Sequence, residues 1–187
     1  MNSFRCFRVL LCFSLLLPAL SPAGIKRVKT DRNVVALTFD DGPNPPYTEK
    51  LLHVLTEKKV KATFFLIGKQ IDLHPETARQ IIKAGHELGG HSSDWETLAF
   101  KRRTYVEDQL AQMERASSNV GVTNLTLFRP PGGILSPGQD KILKERGLVH
   151  ISADVVVGDW KEPDASTIRD RVVNKVRSGS IIVLHDG

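Results

Sequence analysis

The sequence is poor in cysteine. Only Cys6 and Cys12 occur, and both fall within the first 23 residues. The remainder therefore has no disulfide framework and no thiolate nucleophile or ligand. Long hydrophobic runs are also scarce. Val9 to Leu20 is almost wholly apolar, but it is short for a membrane span and Pro18 interrupts it. No repeat, low-complexity tract or domain linker is apparent. Charge of one sign hardly dominates: 26 basic residues face 21 acidic ones, for a formal net charge of +5. So mild a surplus favours an anionic surface such as a cell wall and does not argue for nucleic acid.

The N-terminus reads as a signal peptide over residues 1–23. Arg5 and Arg8 form the basic start, Val9 to Leu20 the apolar core, and Ser21-Pro22-Ala23 supplies small residues at a cleavage site. Removal would leave 24 basic against 21 acidic residues, with no stable membrane span. The expectation is a secreted or cell-envelope protein. A length of 187 residues suits a single domain with a real core.

From Asn33 onward, apolar runs alternate with amphipathic stretches. Strand patterns cover Val34–Phe39, Ala62–Ile67, Leu148–Val157 and Ile181–Leu184. Helical spacing covers Tyr47–Lys59, Pro75–Ala84, Thr104–Val120, Pro137–Arg146 and Asp164–Val176. Pro75 near a helix start and Gly85 just past its end show the usual terminal asymmetry. The alternation implies βα units around a parallel sheet or barrel. In such folds, sites gather at the carboxyl ends of the strands. Polar residues recur there: Asp40-Asp41, His91, Arg129, Asp159 and His185-Asp186.

These residue types suit hydrolysis. Two adjacent carboxylates before Gly42-Pro43 can divide labour, one holding a metal and the other acting as a base, although an Asp-Gly turn is also a common solvated feature. A neutral imidazole is a frequent metal ligand, and His91 follows Gly89-Gly90, where backbone can approach closely. A lone histidine is nevertheless more often structural. His185, at a strand end, has a tuneable pKa and suits a general acid. Arg129, fixed before two prolines, can orient a carboxylate through a bidentate contact or stand as a surface residue on a turn.

Five ordered motifs carry a family resemblance: Thr38-Phe39-Asp40-Asp41-Gly42-Pro43, Gly89-Gly90-His91-Ser92, Arg129-Pro130-Pro131-Gly132, Asp159-Trp160 and Leu184-His185-Asp186-Gly187. Over residues 33–187 the chain resembles the polysaccharide deacetylases, carbohydrate esterase family four. The resemblance implies a catalytic domain with a distorted (β/α) barrel of parallel strands. It implies metal-dependent removal of acetyl groups, mainly N-acetyl, from an acetylated polysaccharide or oligosaccharide such as chitin oligomers or peptidoglycan. The cofactor implied is a divalent metal, zinc above all, with cobalt or nickel as alternatives. Asp40 is then the base, Asp41 and His91 metal ligands, Arg129 the tether of Asp40, and Asp159 the partner orienting the general acid His185. Trp160, Leu184 and Pro131 then contact substrate, with Leu184 in the pocket for the acetyl methyl.

Three departures stand out. The family usually has a second histidine four residues after the first, and here that position is Trp95, whose indole nitrogen has no free lone pair. Gly133 stands where an aromatic is common. The chain stops at Gly187, where relatives usually continue with a further helix. The alternatives to a working deacetylase are a carbohydrate-binding relative with lost metal affinity and a metal-dependent amidase on a small molecule, since fold does not fix substrate.

Overall fold

A computed structural model describes residues 24–162 and 164–186. The expected signal peptide lies outside the described residues. Seven strands form one sheet: β1 (Ala36–Asp40), β2 (Thr63–Leu66), β3 (Glu87–Gly90), β4 (Leu127–Phe128), β5 (Val149–His150), β6 (Val155–Val156) and β7 (Ile181–His185). Their order is β5-β4-β3-β2-β1-β7-β6, and every pairing is parallel. The helices are α1 (Tyr47–Glu57), α2 (Gly68–Leu73), α3 (Pro75–Lys83), α4 (Arg103–Asn119), α5 (Gln139–Glu145) and α6 (Ala165–Lys175). The sheet curls into a half-barrel with helices around it, as the alternation of patterns implies.

Side chains alternate across each strand. On β1 and β7, Ala36 and Ile181 point inward and pack with Phe65, Leu127 and Ile151. Leu37, Phe39, Ile182 and Leu184 point outward to the helix layer. The same alternation turns Thr38, Asp40 and His185 inward, above the apolar floor. The longest helix, α4, buries Val106, Leu110, Met113 and Ala116, spaced three or four residues apart on one face. Burying each of the larger of these side chains contributes roughly 1.5–3 kcal/mol.

The apolar run Leu148–Val157 is not one strand. It divides into β5 and β6 at opposite edges of the sheet, joined by Ile151–Asp154. Polar groups impose the break. Asp154 turns aside to accept hydrogen bonds from the Ile181 N–H and the Ser180 hydroxyl, at 3.0 and 3.1 Å. The segment near Ile25 runs along the end of β5 and the start of β7. Ile25 bridges Ile151 in parallel, and Arg27 bridges Ser180 antiparallel. Pattern reading also passes over α2 and β3; the latter is too short and glycine-rich to show periodicity.

Candidate active site

Asp40 ends β1, directly in register with His185 at the end of β7. Pairing thus brings two of the expected catalytic groups side by side. Arg129 follows β4 and reaches across beneath them, 2% exposed. Its Nη1 donates to Asp40 Oδ1 at 2.5 Å and to Thr38 Oγ1 at 2.8 Å, while Nη2 donates to the Ser152 carbonyl at 3.2 Å. The guanidinium carbon lies 4.1 Å from the centroid of the Phe65 ring. The Arg129–Asp40 contact is thus a single hydrogen bond and not bidentate, because the second nitrogen is spent on Ser152. Burial pulls the Arg129 pKa down and Asp40 opposes that pull; the group stays charged, since arginine does not deprotonate in proteins.

Asp41 and His91 form the second pair. Nδ1–H of His91 donates to the Arg129 carbonyl at 2.7 Å. That bond fixes the tautomer and leaves Nε2 as a bare lone pair, the usual preparation of a ligating histidine. His91 Nε2 lies 3.4 Å from Asp41 Oδ1, so the two donors converge on one place. Asp41 reaches this position with a left-handed backbone, φ 77°.

The turn is held by residues that sequence reasoning passed over. Thr48 Oγ1 accepts the Asn44 N–H at 2.7 Å and donates to Asp186 Oδ2 at 2.6 Å. The Asp186 carboxylate lies so close to Gly42 that an added Cβ there would stand 2.5 Å from Oδ2. Glycine at 42 is thus a steric requirement. Burial raises the Asp186 pKa to about 6. On the other side, Gln109 of α4 accepts from the Ser92 hydroxyl and the Ser93 N–H, at 3.1 and 3.2 Å. Asp186 carried a motif signal without a role; Gln109 carried no signal at all.

Among the described residues, no group of three or more His, Cys, Asp and Glu side chains is arranged to hold a metal. Asp94, the nearest substitute for a third donor, is engaged elsewhere, with Lys69 Nζ at 3.0 Å and the Glu96 N–H at 3.1 Å. Trp95 is half exposed, and it lies in a loop of bends rather than one helical turn beyond His91. The donor set thus fits a divalent metal in chemistry and tautomer but supplies two ligands where catalytic zinc usually has three.

His185 is held by Asp159 and Trp160. Its backbone N–H donates to Asp159 Oδ2 at 2.7 Å, and its Nδ1 lies 3.1 Å from Asp159 Oδ1. Trp160 packs edge-on against its ring, with centroids 5.0 Å apart. Burial lowers the imidazole pKa, but the Asp159 hydrogen bond and the carboxylates of Asp159, Asp40 and Asp41 outweigh it, and the net shift is upward. The imidazolium thus persists to higher pH than in a free histidine. Asp159→Asn removes the main opposing charge, so the alkaline limb of the pH–rate profile is expected to move to lower pH. An unmoved limb in stopped-time acetate assays across pH would separate Asp159 from the acid's titration.

Pro131 is buried in the turn after Arg129. Leu184 is out of phase with His185 and packs among the helix-facing side chains near Phe39 and Ile182. The structure brings Asp40, Asp41, His91, Arg129, Asp159, Trp160 and His185 to one end of the sheet, and it does not turn Leu184 toward the carboxylates.

Comparison with known proteins agrees with this fold. The polysaccharide deacetylase family model matches residues 27–151. A peptidoglycan-N-acetylglucosamine deacetylase of Bacillus cereus is 34% identical over 177 residues, covering 92% of this chain and 83% of that protein. A chitooligosaccharide deacetylase of Sinorhizobium fredii is 37% identical over 164 residues, covering 87% and 76% respectively. Among solved structures, a mutant of a family 4 pseudoenzyme with restored enzymatic activity superposes with a TM-score of 0.85 at 31% identity. That match covers 90% of this chain and spans 62% of the other. On the family match, the similarity of sequence and the shared fold together, this chain belongs to the polysaccharide deacetylase family.

Proposed function

We propose that this protein is a glycan deacetylase that hydrolyses the N-acetyl amide of amino sugars in chitin-like oligomers or peptidoglycan. The observation that carries the reading is the register pairing of Asp40 with His185, each held by its own charged partner, Arg129 and Asp159. Asp40 is anchored by Arg129 as a carboxylate, fit to take a proton from the attacking water. His185 is held protonated by Asp159, fit to give a proton to the departing amine. Water's oxygen bonds to the acetyl carbon, the carbon–nitrogen bond breaks, and acetate and a free amine leave. Asp41 and His91 would hold a divalent metal, zinc above all, which when bound polarises the acetyl carbonyl. Trp160 borders the general acid and presents an indole face to substrate.

The relatives named as peptidoglycan and chitooligosaccharide deacetylases support the substrate class. A second reading rests on Trp95: a glycan-binding relative without turnover. The wild-type form of that pseudoenzyme, from Bacillus anthracis, superposes with a TM-score of 0.84 at 29% identity, so this fold is compatible with loss of activity. One experiment separates the two. Purified protein is stripped with a chelator, reloaded with zinc, cobalt or nickel, and assayed for acetate release from N-acetylglucosamine oligomers, peptidoglycan strands and acetyl-xylan. Metal-dependent release from the first or second substrate is expected. No release with any metal, together with retained oligomer binding, would establish the second reading. Localisation to the exterior or envelope accords with these substrates and is checked by fractionating the expressing cell.

A further inference from the structure

Phe100 is 91% exposed, whereas Phe39, Phe64, Phe65 and Phe128 are 5% exposed or less. Its backbone is left-handed, φ 63°. A bulky residue in that conformation is an outlier that costs stability and persists only where the surroundings impose it. Here they do. The Phe100 N–H donates to Ser136 Oγ at 2.7 Å, and the Gln139 amide donates to the Leu98 and Lys101 carbonyls at 2.7 and 3.3 Å. These bonds join the loop after β3 to the loop after β4 and to the start of α5. The same two loops are joined at the site by His91 Nδ1 and the Arg129 carbonyl. Phe100 and His91 therefore lie on one connection, between β3 and α4, that is bonded to the segment after β4 at both places.

Its location is shared. Of the other exposed aromatics among the described residues, Trp95 and Trp160 also lie in β-to-α connections at the carboxyl end of the sheet, and Tyr47 opens α1 directly after such a connection. A single ring is far too small to seat a protein partner, which needs about 1,000 Å². Lys101 and Arg102, both exposed, follow it directly. An isolated flat ring among polar groups suits a ligand that is polar at its rim and apolar on one face, and a pyranose ring is such a ligand.

We infer that Phe100 is a stacking platform for a sugar unit distant from the acetyl group that is cut, so that the protein reads glycan length. This rests on the glycan reading above. The test is calorimetric binding of the disaccharide and hexasaccharide of N-acetylglucosamine, and of peptidoglycan glycan strands, to the full chain and its variants. Phe100→Ala is expected to weaken hexasaccharide binding by about five- to tenfold, the range of a good aromatic contact, and to leave the disaccharide unchanged. Phe100→Trp should restore the loss. Phe100→Gly should weaken binding equally while raising the melting temperature, because glycine relieves the left-handed strain. Equal effects on both oligomers, no effect on either, no binding of any glycan, or a change in sedimentation on Phe100→Ala that marks self-association would each overturn the assignment. Phe100-dependent binding without acetate release would instead sink the deacetylase reading and leave the platform standing.

Discussion

Asp40→Asn is expected to lower kcat/KM by about 10³-fold, within the usual range for loss of a general base. The same change should destabilise the protein, because Asp40 and Arg129 are a buried pair, with side chains 6% and 3% exposed. Removing one partner of such a pair typically costs about 3–5 kcal/mol, chiefly from the charge left behind. Asparagine retains an oxygen for Nη1, and Thr38 and Ser152 still accept from the guanidinium, so the lower end of that range is expected. Two consequences need separating. Arg129→Met alone should also destabilise, yet the double variant should lose less stability than the two single losses combined, as coupled neighbours do. Activity should not recover in the double variant, because no base is present. Thermal melts and acetate release on all three proteins check this. An Asp40→Asn protein that melts lower but turns over at the parental rate would confine Asp40 to structure.

Such coupling explains what the sequence revealed and what it concealed. Asp40, Arg129 and His185 were legible because each follows an apolar run, and a parallel strand delivers its last inward residue to one end of the sheet. Strand phase is less legible. Leu184 and His185 are adjacent in the chain, and only the packing of Ile182 and Leu184 against the helices shows that they face opposite ways. The division of Leu148–Val157 into two edge strands was hidden for a related reason: continuous apolar residues carry no period. What breaks the run is Asp154, whose partners Ser180 and Ile181 lie 26 and 27 residues away. The supports of the site were least legible. Thr48 and Gln109 each act through a pair of hydrogen bonds, Thr48 with Asn44 and Asp186 and Gln109 with Ser92 and Ser93, and a helical Thr or Gln looks the same whether it does this or faces solvent.

Trp95→His is expected to raise zinc affinity by at least about ten- to a hundredfold, the range that even outer-shell partners contribute to metal affinity. The reasoning starts from the two donors that are present. His91 is fixed with Nε2 bare by the Arg129 carbonyl, and Asp41 faces it at 3.4 Å. Neither needs reorganisation, so a third donor at residue 95 adds its full bond without a new ordering cost elsewhere. The loop carrying residue 95 is anchored by Gln109 on Ser92 and Ser93, which limits its freedom to swing the new imidazole away. Trp95 is half exposed and belongs to none of the buried clusters, so its loss should leave stability within about 0.5 kcal/mol, as for other surface substitutions. Competition with a chromophoric chelator measures the affinity directly, whether or not the protein turns over. Two results are informative together. A gain in affinity accompanied by faster acetate release at limiting zinc would mean that metal occupancy restrains the parent. A gain in affinity with unchanged release at saturating zinc would mean that Asp41, His91 and water already suffice once loaded. Unchanged affinity would place residue 95 away from the two donors and leave the pair to hold its metal unaided.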